Sequence, residues 1–271
     1  PPASPAHTYP PATMNEGKKP QRIYIIRHGD RMDRGIDQES KAWQKDNQFN
    51  QDTPISCIGR VQAKDTSNLL MKEVDLSSCI IIASPWLRCM QTSLPFAKAS
   101  KLELHLDPAV GEGAEFCTHD APPHEKEEPF KGLVDTSYKP LLEGKAPKTD
   151  MTNVAEALEN RFGFEEGRTI VIFSHADPCI YLAAALAKMK PNAMNCTSPT
   201  AMFTLEQEKK GEVYRVRRIN EKKKKNECMR RESLMWKRMM LQIQYEQGIS
   251  ALVRVAEQSC AVNQAYKIIR N

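Results

Sequence analysis

Short apolar runs separated by amphipathic stretches set the pattern of this chain. Arg22-Ile23-Tyr24-Ile25-Ile26-Arg27 is a β-rich run that stops at His28-Gly29. A continuous apolar run of this length suits a parallel strand buried on both faces. Residues 78–84 predict a second such strand, the alternating residues 101–106 a third, and residues 168–174 a fourth that ends at His175. Helical stretches lie between them. Ser56 can cap a helix running to about Met71, and Pro85 falls in the first turn of another running to about Ala99. Residues 151–162 and 178–189 predict two more helices. Residues 201–205 and 213–216 predict edge strands, arranged as a hairpin around Lys210-Gly211. Alternating β and α argues for an α/β fold: three layers, α/β/α, around a mainly parallel sheet.

Three segments break the alternation. Residues 1–20 hold six prolines and read as a disordered, extended leader. Residues 116–150 carry Pro122, Pro123, Pro129, Pro140 and Pro147 around an acidic run, and read as a lid or insertion within a domain over 21–219. Residues 220–271 carry four consecutive lysines near their start (Lys222 to Lys225), and Met235, Met239, Met240 and Ile243 then share one helical face. This part reads as a basic helical tail.

Composition narrows the class. With 271 residues, 40% hydrophobic and 27% charged, the chain is neither wholly disordered nor collagen-like nor a multispan membrane protein. No apolar run approaches the roughly 18 residues that span a bilayer. The eight cysteines form no C-x-x-C pair, which argues against a zinc site and for reduced thiols in a cytoplasmic protein. The net charge of +5 is unevenly placed: residues 220–271 carry +6 and residues 1–219 carry −1. The basic balance therefore belongs to the tail and says nothing of a substrate. It points to a docking surface that is acidic protein, RNA or anionic membrane.

The chemistry lies at strand ends, where open parallel sheets place their sites. His28 and His175 both end an apolar run. Arg27 and Arg31 flank the first, and Arg88 follows the second strand near a helix start. Guanidinium forks and helix N–H groups fit a dianionic phosphoryl group. A neutral imidazole can attack phosphorus, a second can stabilise the equatorial oxygens, and a carboxylic acid must protonate the leaving alkoxide. Glu112, beyond the third strand, is placed for that role, with Glu115 its rival. Arg34 competes with Arg31 at a poorer spacing, and His105, His119 and His124 receive no catalytic task. The scheme needs no metal and no cofactor.

Five ordered segments resemble the histidine phosphatase superfamily, in its phosphoglycerate-mutase-like branch. They are Arg27-His28-Gly29-Asp30-Arg31-Met32-Asp33, Pro54-Ile55-Ser56-Cys57-Ile58-Gly59, Ala83-Ser84-Pro85-Trp86-Leu87-Arg88-Cys89-Met90-Gln91-Thr92, Val134-Asp135-Thr136-Ser137-Tyr138-Lys139-Pro140 and Ser174-His175-Ala176. The match is closest to the phosphatase domain of the suppressors of T-cell receptor signalling, which carry ubiquitin-associated and SH3 domains, and to ecdysteroid-phosphate phosphatases. The resemblance implies His28 as nucleophile, Glu112 as acid and base, and Arg27, Arg31, Arg88 and His175 as phosphate ligands. It implies a bulky or aromatic phosphomonoester, or phosphotyrosine, as substrate, and it mildly favours a homodimer. Asp30 stands where that subfamily more often has Glu, and Gly111 to Glu115 replace a more aromatic stretch. Two alternatives remain: a mutase that passes the phosphoryl group to a second alcohol, and a catalytically weak, phosphate-binding scaffold.

Overall fold

The computed structural model describes residues 19–47, 52–112, 123–143, 151–194, 196 and 198–218. The expected helical tail, residues 1–18 of the expected leader, and the candidate residues Glu115 and His119 lie outside the described residues.

Six strands form one sheet: β1 (Gln21–Arg27), β2 (Cys79–Ala83), β3 (Leu104–Leu106), β4 (Thr169–Ser174), β5 (Met202–Gln207) and β6 (Arg215–Arg218). Their order is β3-β2-β4-β1-β5-β6. The first four run parallel, while β5 and β6 are antiparallel neighbours of β1 and of each other. The hairpin expected at the C-terminal edge is present, with both strands beginning slightly later in sequence. Among the described residues the α-helices are α1 (Gln38–Asp46), α2 (Cys57–Glu73), α3 (Leu87–Ser100), α4 (Met151–Phe162) and α5 (Ala176–Leu186).

The pleat divides the apolar runs between two cores. Ile23, Ile25, Ile82, Ile170 and Ile172 point to one face, where Val154 and Leu158 of α4 and Cys179 and Leu182 of α5 cover them. Tyr24, Ile26, Ile81, Val171 and Phe173 point to the other, against Leu70 of α2 and Phe96 of α3. Both faces of the central strands are thus buried, which explains runs apolar at every position rather than at alternate ones. The result is the three-layer α/β/α arrangement with a mainly parallel sheet that the pattern predicts.

The differences are local and have physical reasons. Pro85 lies before α3, not in its first turn, and Trp86 takes the cap position in extended conformation. The first helical N–H, that of Leu87, is satisfied from a distance by Asp52 Oδ1 at 2.8 Å. β3 is shorter than expected because Lys101 adopts φ 59 and ends α3 in a left-handed turn. α5 starts two residues early, directly after His175. Helix α1 has no apolar stripe to announce it. Its only buried residue is Ser40, and it is set by Asp37, whose carboxylate accepts from Ser40 N at 2.9 Å. Within the expected insertion, residues 133–135 run beside β3: Leu104 N donates to Leu133 O and Asp135 N to Leu104 O.

Candidate active site

β1 and β4 are neighbours, and Arg27 is registered against Ser174. Each strand is followed by its histidine, so the register alone brings His28 beside His175. Their ring centroids are 5.4 Å apart at 66°, and the His28 N–H donates to Ser174 O at 2.9 Å. His28 is 3% exposed and His175 is fully buried.

His28 Nδ1 lies 2.8 Å from Gly29 O. A carbonyl oxygen can only accept, so Nδ1 carries the proton and Nε2 keeps its lone pair. Burial, then the neighbouring His175 and the Arg88 charge, push the His28 pKa well below the ordinary histidine value. The ring is neutral, which is the state a nucleophile requires.

Arg88, 1% exposed, stands in the first turn of α3. Its Nη2 donates to Glu112 Oε2 at 2.6 Å, and its Nε lies 3.2 Å from His175 Nδ1. Its guanidinium also covers the Trp86 ring at 5.1 Å. His175 Nδ1 faces Glu112 Oε2 as well, at 3.0 Å, while Nε2 is 2.9 Å from Ser84 Oγ. In the neutral ring Nδ1 accepts from Arg88, and a protonated ring would donate to Glu112 instead. Burial and then Arg88 lower the His175 pKa to about 4 against the pull of Glu112, so the neutral form prevails. For Glu112, burial alone would raise the carboxyl pKa. The bond and charge of His175 and the Arg88 guanidinium override it and hold the group well below the usual carboxylate range. With His175 neutral, Arg88 is the standing counter-charge.

The structure thus brings His28, His175, Arg88 and Glu112 together. Arg31 is 21% exposed and forked onto Asp33, with Nε to Oδ1 at 2.8 Å and Nη2 to Oδ2 at 2.5 Å. Its charge still contributes to the low His175 pKa. Arg27 turns Nη1 to Cys196 O at 3.2 Å, and Arg34 is exposed at the surface. His105 stacks on Tyr138 at 4.7 Å and pairs with Asp135.

Several residues in and beside the flanking segments hold the site without a role expected from the sequence. Gly29 and Gly59 touch because neither has a side chain: a Cβ on Gly59 would lie 2.3 Å from Asp30 O. Ser56 then donates from N to Asp30 O and from Oγ to Asp30 Oδ2, both at 2.8 Å, while its Oγ caps α2 through Gly59 N. Gln62 accepts from Asp30 N, Thr92 accepts from Gly29 N, and Gln91 accepts from Ile55 N. On the Glu112 side, Ser174 Oγ donates to Val110 O at 2.5 Å. Asp107, fully buried, takes Ala109 N, Tyr138 OH and Leu141 N. A hydroxyl or amide one helical turn from a candidate arginine is the signal that was available for Thr92 and Gln91. Asp107 and Ser174 gave none. Among the described residues, no group of three or more His, Cys, Asp or Glu is placed to hold a metal ion, and no helix is long and apolar enough to cross a membrane.

Two imidazoles and a guanidinium at adjoining strand ends, with a carboxylate across them, suit a phosphate ester, and the class of protein is that of an α/β phosphatase. The chain belongs to the histidine phosphatase superfamily, branch 1, whose family model matches residues 23–222. Among solved structures it is similar to the ecdysone phosphate phosphatase of Bombyx mori in complex with tungstate, at 18% identity and TM-score 0.54, over 73% of this chain and 92% of that one. It is similar to a mycobacterial glucosyl-3-phosphoglycerate phosphatase at 21% identity and TM-score 0.47, over 73% and 97% of the two chains. A phosphoserine phosphatase of Entamoeba histolytica follows at 17% identity and TM-score 0.43, over 68% and 90%. At 18% identity the likeness to the Bombyx mori enzyme is one of fold. No curated protein sequence matches the chain significantly.

Proposed function

We propose that the protein hydrolyses phosphomonoesters through a phosphohistidine on His28. The observation that carries this reading is the bond from His28 Nδ1–H to Gly29 O, which leaves Nε2 as the lone-pair nitrogen of a buried neutral ring. The incoming phosphoryl group is held by Arg88 and His175, with Arg27 and Arg31 completing the pocket. His28 Nε2 attacks phosphorus, the ester P–O bond breaks, and the leaving alkoxide takes a proton from Glu112. Water then attacks phosphorus, Glu112 takes the water's proton, and the N–P bond returns its electron pair to Nε2. Glu112 is ionised while it rests on Arg88. Substrate acts on it by taking over that guanidinium and bringing a dianion alongside, both of which raise the carboxyl pKa.

The substrate in this reading is a bulky or aromatic phosphate ester or phosphotyrosine. The resemblance of the five ordered segments to the phosphatase domain of the suppressors of T-cell receptor signalling and to ecdysteroid-phosphate phosphatases supports it. Residues 21–219 form the catalytic unit, the protein acts in the cytoplasm, pairing into a homodimer is favoured, and the basic tail docks on an acidic or anionic surface.

The test is a panel of p-nitrophenyl phosphate, phosphotyrosine peptides, steroid phosphates and phosphoglycerates, run on the full chain and on His28→Ala. Trapping should give an acid-labile, base-stable phosphoenzyme with wild type alone. Undiminished hydrolysis by His28→Ala would sink the proposal. A phosphoenzyme that persists until a second alcohol arrives would make the protein a mutase instead.

A further inference from the structure

A single buried hydroxyl joins the two halves of the candidate site. Thr92 lies on α3 one turn beyond Arg88 and is 1% exposed. Its hydroxyl donates to Arg88 O at 2.6 Å. The same oxygen accepts from Gly29 N at 2.9 Å. Gly29 O in turn is the acceptor that fixes His28 Nδ1–H, at 2.8 Å. On its far side Gly29 is pressed against α2, where a Cβ on it would lie 2.9 Å from Gly59 O. The loop is therefore clamped between two helices, and on the α3 side the clamp includes this hydroxyl.

A threonine bonding the carbonyl four residues back is commonplace in helices and explains itself locally. The second bond is not local. It runs 63 residues along the chain, from the nucleophile loop to the helix that carries Arg88. It also satisfies a buried backbone N–H that would otherwise have to find another acceptor. Resting on the phosphatase reading above, we infer that Thr92 is a positioning residue: it sets the distance and angle between the His28 loop and the Arg88 turn. Its neighbour Ser93 supplies the contrast. Ser93 is equally buried, but among the described residues its hydroxyl donates only back to Met90 O, at 2.9 Å.

Thr92→Val keeps the shape and removes the hydroxyl, Thr92→Ser keeps the hydroxyl, and Ser93→Ala removes a hydroxyl of no positional consequence. With p-nitrophenyl phosphate, Thr92→Val should lose about tenfold to a hundredfold in kcat, the scale of a small misplacement of reacting groups. Its KM should change far less. Thr92→Ser and Ser93→Ala should stay within about threefold of wild type. Nitrogen-15 spectra of the imidazoles should show one Nδ1–H tautomer for His28 in wild type and Thr92→Ser, and a mixture in Thr92→Val. A folded Thr92→Val with wild-type kcat and a single His28 tautomer overturns the inference. Equal losses in Thr92→Val and Ser93→Ala overturn it too. If Thr92→Val does not fold, hydrogen exchange at Gly29 N in wild type carries the test. Slow exchange supports the bond, and exchange at the rate of an open amide overturns it. Equal hydrolysis by wild type and His28→Ala would defeat the phosphatase reading instead, and the tautomer and exchange measurements would still judge Thr92.

Discussion

The Glu112 carboxylate rests on Arg88, with Oε2 at 2.6 Å from Nη2. The guanidinium face that a phosphoryl group would take is thus occupied in part by the proposed acid itself. Glu112→Gln should separate the two roles. The neutral amide competes less for Arg88, so inorganic phosphate and tungstate should bind more tightly, by about tenfold for each roughly 1.4 kcal/mol of competition removed. Hydrolysis of alkyl phosphates should fall at least about a hundredfold, because the poor leaving group loses its proton donor. p-Nitrophenyl phosphate, whose leaving group needs no proton, should lose much less. Steady-state kinetics and calorimetry read both effects. If Glu115 is the acid, the selective loss on alkyl phosphates will appear in Glu115→Gln, and Glu112→Gln will show only the tighter anion binding.

The two buried histidines make stability depend on pH in a defined direction. Both have folded pKa values below the ordinary histidine value, His175 at about 4. As pH falls below about 6.5, the unfolded chain takes up protons at these rings and the native state does not. Stability is therefore fully present above that value and is lost as pH falls toward the folded pKa. The slope is at most roughly 1.4 kcal/mol per pH unit for each ring. Thermal unfolding should shift down steadily between pH 7 and pH 5, and His175→Asn should flatten the profile over that window. A wild-type profile with no such slope would show that the rings are not held neutral.

The sheet was legible because its strands are buried on both faces. Ile23 to Ile26 and Ile170 to Phe173 serve two cores, so they read as unbroken apolar runs, and both histidines could be placed at strand ends. Strand order was not legible. Nothing in either run says that β1 lies beside β4, and only that adjacency turns two loop histidines into a pair. Glycines mark close approach only when the partner is known, as with Gly29 and Gly59. Long-range polar partners leave no periodic trace at all: Asp52 reaches Leu87 and His124, and Thr92 reaches Gly29. Helix α1 was missed for the opposite reason, since it buries almost nothing.

The contact between α2 and the His28 loop predicts a specific failure on adding one methyl group. On Gly59 it would meet Asp30 O at 2.3 Å and Ile55 Cβ at 2.8 Å. Both belong to well-packed segments, so Gly59→Ala should cost about 1–3 kcal/mol, the range for overpacking. It should also depress kcat by shifting the loop. Gly211→Ala offers the comparison, since Gly211 sits at φ +83 in the β5–β6 turn with open space around it. Strain there should cost about 1–2 kcal/mol and leave kcat unchanged. Urea unfolding and kinetics on both variants check the contrast, and unchanged turnover in Gly59→Ala would separate the loop contact from catalysis.

His124 fastens residues 123–130 to the base of α3 in a pH-dependent way. Its Nε2 is 2.5 Å from Asp52 Oδ2 and its Nδ1 3.3 Å from Glu127 Oε2, while Asp52 Oδ1 holds the Leu87 N–H at the start of α3. Burial disfavours the charged ring, but the two carboxylates outweigh it and raise the His124 pKa. A raised folded pKa means that the ion pair contributes fully below about 6.5. It is lost as pH rises through the folded value. Hydrogen exchange across residues 123–130, corrected for intrinsic rates, should therefore accelerate above neutral pH in wild type. His124→Gln should exchange quickly at every pH. Asp52→Ala should release the same segment and also destabilise by about 1 kcal/mol through the lost α3 cap. Protection of this segment that does not change between pH 6 and pH 9 would show that the histidine is not what holds it.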